Sequence, residues 1–215
     1  MDNLLTRLAA TAVIFTFALP VLAQSVAVDD QKVFHYATNP EVVILSYSET
    51  PGMLASPDTL PRIQVFGDGR VWIHYPVYMK KAGDYGLYLN PGEVTALLNS
   101  VSGAFGFDAR AVRDSRDNIK LAREMQDDEA FYRSDGTLEE ITVNLTGYQI
   151  SPGASIVAVE QAMAWTDIAL DAHDYPELQE LQNLNRARDG MRALLARDDL
   201  TPVDMSAANG SPSRP

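Results

Sequence analysis

The sequence predicts an α+β domain: an antiparallel sheet of about four strands, covered on one face by helices. Three observations predict it. Residues 62–77 read as a hairpin around Gly67-Asp68-Gly69, residues 90–93 spell a helix start, and strand-like segments come first with helical ones after them. Nothing alternates in the pattern of a nucleotide-binding α/β fold.

Residues 42–45 (VVIL) make a short apolar strand, and a loop rich in Pro, Gly and Ser follows over residues 48–61. In the hairpin, a three-residue turn between Phe66 and Arg70 needs a positive φ at its last position, which Gly69 supplies. Counting outward pairs Val65 with Val71 and Ile63 with Ile73 on one face. The other face pairs Gln64 with Trp72 and Arg62 with His74. Asn90 caps the helix 91–102, with Pro91 where no amide donor is needed and Glu93 at the capping-box position. Val94, Leu97, Leu98 and Val101 form its apolar stripe. A second helix, 109–126, follows Asp108 with a thin stripe (Val112, Ile119, Ala122, Met125) and is largely solvated.

Residues 137–145 alternate as a strand, with Ile141, Val143 and Leu145 on one face; a register pairing Phe131 with Ile141 implies a longer loop than Asp135-Gly136 alone. The chain then reads as a C-terminal helix pair. Val159, Ala162, Met163, Thr166, Ala169 and Leu170 fall at helical spacing, and a helix after Pro176 buries Leu178, Leu181, Leu184, Met191, Leu194 and Leu195.

At the N-terminus, Arg7 precedes an uncharged run from Leu8 to Ala23 broken by Pro20, and Val21-Leu22-Ala23 resembles a cleavage site. Sixteen uncharged residues fall short of the roughly 20 a spanning helix needs. Residues 1–23 therefore read as a cleavable secretory signal, cut near Ala23-Gln24, with a periplasmic or secreted product and no membrane span left after processing. Residues 24–40 read as a lead-in, residues 41–198 as one globular domain and residues 199–215 as a disordered tail.

The chain has 17 basic and 29 acidic residues, a net charge of −12, and no cysteine. Such acidity argues against nucleic acid and anionic lipid as partners. Export without cysteine fits a bacterial envelope better than a eukaryotic secretory route, where small domains are commonly disulfide-bonded. No nucleophile elbow appears, no motif implies a cofactor, and any catalytic base would come from His35, His74 or His173. Asp171, His173 and Asp174 are weak candidate metal ligands whose plainer role is to border a helix end.

The binding candidates are Arg62, Trp72, His74, Tyr75, Tyr78 and Tyr85. On the expected hairpin, Arg62, Arg70, Trp72 and His74 share a face that suits an anionic group or a sugar, unless helices cover it and Trp72 is core. The tyrosines flank Lys80-Lys81-Ala82-Gly83-Asp84, which is contact material or a plain hairpin edge. The expected function is a non-enzymatic envelope module binding another envelope protein or polymer. The alternatives are a hydrolase with His74 or His173 as base, and a small-ligand carrier with a core pocket of several hundred cubic ångströms, on the usual scale of such sites.

Overall fold

The computed structural model describes residues 32–52, 58–125 and 135–203. The architecture is α+β, with one antiparallel sheet and four α-helices. The strands are β1 (Val33–His35), β2 (Val43–Pro51), β3 (Ile63–Phe66), β4 (Arg70–Tyr75), β5 (Gly83–Tyr88), β6 (Thr137–Gln149), β7 (Val157–Thr166) and β8 (Thr201–Pro202). The helices are α1 (Pro91–Ser102), α2 (Ala109–Glu124), α3 (Ile168–Asp174) and α4 (Gln179–Ala193). Across the sheet the order is β7-β6-β2-β3-β4-β5-β8, with β1 pairing the far end of β6.

Eight strands replace the expected four, for three reasons. β5 was hidden in a glycine- and lysine-rich stretch. β1 and β8 are short strands at the two ends of the described chain, drawn from the expected lead-in and tail. The third reason is β7. Residues 157–166 do not form the first helix of the expected C-terminal pair; they pair with β6 from Leu138↔Thr166 to Tyr148↔Val157. The helix pair exists, but as the short α3 packed on α4.

The hairpin has the expected register, with Val65↔Val71, Gln64↔Trp72 and Ile63↔Ile73 paired. Gly69 takes φ +92°, and a Cβ there would run into the Leu89 carbonyl oxygen. α1 starts on the full capping box: Asn90 Oδ1 accepts from the amides of Gly92 and Glu93, and Glu93 accepts from the Asn90 amide. Asp108 caps α2, whose only fully buried residue is Val112. The pairing of Phe131 with Ile141 lies outside the described residues, as do residues 1–31.

One face of the sheet carries the core. Tyr47, Ile63, Val65, Ile73, Ile141 and Met163 are at most marginally exposed, and they pack with Val94, Leu98, Leu181, Leu184 and Met191 from α1 and α4. A register shift between Val43 and Leu45 bends β2 so that the consecutive Ile44 and Leu45 both bury completely. Gly190 lets α4 lie against Ser100 of α1, where a Cβ has no room. The opposite face bears Ser46, Gln64, Trp72 and Thr142, all half-buried, and the exposed Asn144, Glu160 and Ala162. The helices lie on the core side, so the sheet has one packed face and one hydrophilic face.

Candidate functional site

On the hydrophilic face, register alone aligns one residue from each of six neighbouring strands. Ala162 pairs Thr142, Thr142 pairs Ser46, Ser46 pairs Gln64, Gln64 pairs Trp72 and Trp72 pairs Gly86. The Ser46 and Thr142 hydroxyls bond each other. Ser46, Gln64, Thr142, Asn144, Glu160 and Ala162 line a groove of about 460 Å³. Trp72 is half-buried at one end of the row, its indole stacked on the His74 ring at 5.6 Å and 21°. The indole Nε1 is buried without an acceptor among the described residues.

His74 is buried and clamped. Nδ1 lies 2.8 Å from Asp84 Oδ1, its cross-strand partner, and Nε2 lies 2.7 Å from Asp58 Oδ2 in the loop before β3. Burial works against the charged ring, but the bonds to Asp84 and Asp58 outweigh it and hold the His74 pKa above the ordinary histidine value. The same His74 bond, with one from the Leu60 amide, lowers the Asp58 pKa. Both ring nitrogens are occupied by carboxylates, so neither is open to a substrate, and no hydroxyl reaches His74 or His173 among the described residues.

Arg62 does not join this face. It stands just before β3, where strict alternation has not begun, and its guanidinium turns to the core side. Nε donates to the His74 carbonyl, Nη1 donates to Glu49 Oε2 at 2.7 Å, and the group sits 5.7 Å over the Tyr75 ring. Tyr75 is buried there too, its hydroxyl donating to the Leu195 carbonyl. Tyr85 is half-buried, edge-on to Tyr75, and Lys81 lies over both rings. Tyr78 is exposed. Of the six binding candidates, then, Trp72 and His74 share the hydrophilic face, while Arg62, Tyr75 and Tyr85 belong to the core side.

Arg62 leads to a second site that sequence reasoning missed. The Tyr47 hydroxyl, fully buried, lies 2.7 Å from Glu49 Oε1 and 2.6 Å from Glu139 Oε1. Arg192 bonds Glu49 and donates to the Tyr47 oxygen, and Arg188 donates to Glu139. Burial, then the contact with Glu139, pushes the Tyr47 pKa well up, so the phenol keeps its proton. A cavity of about 370 Å³ opens over these groups, lined by Glu49, Arg62, Glu139, Asp167, Arg188 and Arg192 with apolar wall from Pro51, Met79 and Leu170. These residues come from β2, β6, α3, α4 and the connections before β3, β5 and α3, up to 143 positions apart, so no local motif announces them.

Asp171, His173 and Asp174 do not assemble a metal site. The Asp171 carboxylate is bonded by Trp165 Nε1 and Arg116, and His173 is exposed at the end of α3. No group of three His, Asp or Glu side chains among the described residues is placed to hold a metal ion. No described helix is long and apolar enough to cross a membrane. The chain matches no protein-family model, no curated protein and no solved structure.

Proposed function

We propose that the protein is a non-enzymatic binding module of the bacterial envelope, exported through residues 1–23, and that it holds a hydroxyl-rich polymer across the hydrophilic face of its sheet. The observation that carries this reading is the aligned row Thr142–Ser46–Gln64–Trp72: hydroxyl, hydroxyl, amide, indole. At about 4.8 Å per strand the row spans about 14 Å. Hydroxyls and amides both donate and accept, and an indole face packs on the C–H surface of a sugar ring.

Charge favours a glycan over an anionic group. Arg62 is turned away and bonded to Glu49, and His74 sits between two carboxylates, so this part of the face carries no positive surplus. Glu160 adds a further negative charge to the groove. Catalysis by His74 has no support in a ring clamped at both nitrogens.

The test is cosedimentation of the mature protein with purified peptidoglycan sacculi. The wild type pellets with the polymer, and Trp72→Ala loses about tenfold or more in affinity, the scale of an anchor aromatic. Absence of the wild type from the pellet, or equal pelleting of the variant, overturns the proposal.

A further inference from the structure

The cavity on the core side is independent of the glycan face. Its wall is unusual in how its hydrogen-bonding capacity is distributed. The two glutamates are well supplied with donors: buried Glu139 receives Arg188 and the Ile168 amide, half-buried Glu49 receives Arg62 and Arg192, and the one Tyr47 hydroxyl proton lies between them. The arginines are not saturated. A guanidinium carries five N–H donors. The bonds formed use Nε and Nη1 of Arg62, Nε and Nη1 of Arg188 and Nη1 alone of Arg192. Nη2 of all three arginines and Nε of Arg192 therefore have no acceptor among the described residues. Three arginines share the wall with two glutamates and one aspartate, so its charges balance.

The third acid on the wall is Asp167, and it is held differently. It is the only non-glycine residue with positive φ among the described residues (φ 54°, ψ 52°). Its amide donates to the Thr137 carbonyl and its Oδ1 accepts from the Thr137 amide at 2.8 Å, which stitches the strained residue to β6. No cation or hydrogen-bond donor is bonded to Oδ2 among the described residues; it lies against Gly136, close enough to leave no space for a Cβ there. A left-handed aspartate costs about 1 kcal/mol or more, and such outliers persist where the surroundings over-determine them, often at ligand sites.

Unused guanidinium donors, one unpaired carboxylate oxygen and an apolar wall are complementary to a small zwitterion. We infer that the cavity binds a free amino acid with an apolar side chain: its carboxylate on Arg188 and Arg192, its ammonium on Asp167, and its side chain against Pro51, Met79 and Leu170. The volume of about 370 Å³ lies in the range of small-molecule sites.

Leucine and its two halves test this: isocaproate, which lacks the ammonium, and isoamylamine, which lacks the carboxylate. Titration calorimetry on the mature protein is expected to show leucine binding, with each half weaker by about tenfold, the worth of one charge-assisted hydrogen bond. Arg192→Gln should reduce leucine and isocaproate affinity together by about tenfold. Asp167→Gly relaxes the left-handed backbone but gives up the bond to the Thr137 amide, so a cooperative urea transition is checked first, and Asp167→Asn, which keeps that acceptor, replaces it if the glycine variant does not fold. Either should remove the preference for leucine over isocaproate while leaving isocaproate binding unchanged. No heat and no thermal shift with leucine at tens of millimolar, roughly the weakest affinity such contacts give, overturns the inference. So does a folded Asp167→Gly or Asp167→Asn protein that still prefers leucine tenfold. Loss of sacculus binding by Trp72→Ala leaves this site untouched, so the two proposals fail separately.

Discussion

Replacing His74 by Phe separates packing from charge at the clamp. Phenylalanine keeps an aromatic ring against Trp72 and removes both hydrogen bonds to Asp58 and Asp84. The His74 side chain is 11% exposed and its two partners 21% and 25%, so the bonds are partly shielded but not dry. Two charge-assisted bonds at about 1.5–3 kcal/mol each, discounted for that residual solvent, amount to about 3 kcal/mol. Because the folded pKa of His74 is raised, this stability is fully present below the unfolded value of about 6.5 and is lost as pH rises through the folded pKa. The Asp58 contribution runs the other way: its folded pKa is lowered, so its share is present above about pH 3.9 and is lost as pH falls through the folded value. Both shares coexist between about pH 4 and about pH 6.5. A neutral ring still donates one bond, leaving about 1 kcal/mol at high pH. Urea denaturation at about pH 5.5 and about pH 9 should therefore give His74→Phe a penalty of about 3 kcal/mol falling to about 1. A penalty that is equal at both, or larger at the higher pH, refutes the clamp.

Three further outcomes are expected. Gly69→Ala should destabilise by about 2 kcal/mol or more, because alanine pays for a positive φ and its Cβ meets the Leu89 carbonyl; a thermal melt within error of wild type contradicts the turn geometry. Asn90→Ala removes the acceptor for two amides of α1 and should cost about 1 kcal/mol, read as a lower urea midpoint at unchanged slope. Tyr47→Phe deletes the hydroxyl between Glu49 and Glu139 and should cost about 2 kcal/mol, measured by the same unfolding transition; a loss below about 0.5 kcal/mol shows that the hydroxyl contributes little to the network.

What the sequence disclosed was local. The turn at Gly69 and the aliphatic alternation on either side of it are contained in about a dozen residues, so the hairpin register was readable. The capping box of α1 occupies four. Residues 157–166 misled because Val159, Ala162, Met163 and Thr166 recur at helical spacing. As a strand, this segment buries Val159, Met163 and Trp165 but puts Gln161 between them, bonded to the Phe107 carbonyl and the Gly106 amide. A polar inward residue breaks the alternation that identifies a strand. The hydrophilic face was half legible, since Trp72 and His74 were placed together, while Ser46 and Thr142 come from strands 96 positions apart. Arg62 escapes the alternation because the chain bends there, one residue before β3 begins. The charged cavity was not legible, because the sequence shows Glu49, Glu139, Arg188 and Arg192 only as unremarkable surface-type residues until the sheet and α4 bring them together.

The most direct test of the glycan face is residue-resolved. Soluble glycan strands released from sacculi would be titrated into the isotopically labelled mature protein while its amide and indole resonances are followed. The account predicts shifts that cluster on Ser46, Gln64, Trp72, Thr142 and Asn144 and leave α1 and α4 unmoved. Shifts confined to the helices, or none at saturating glycan, would contradict it.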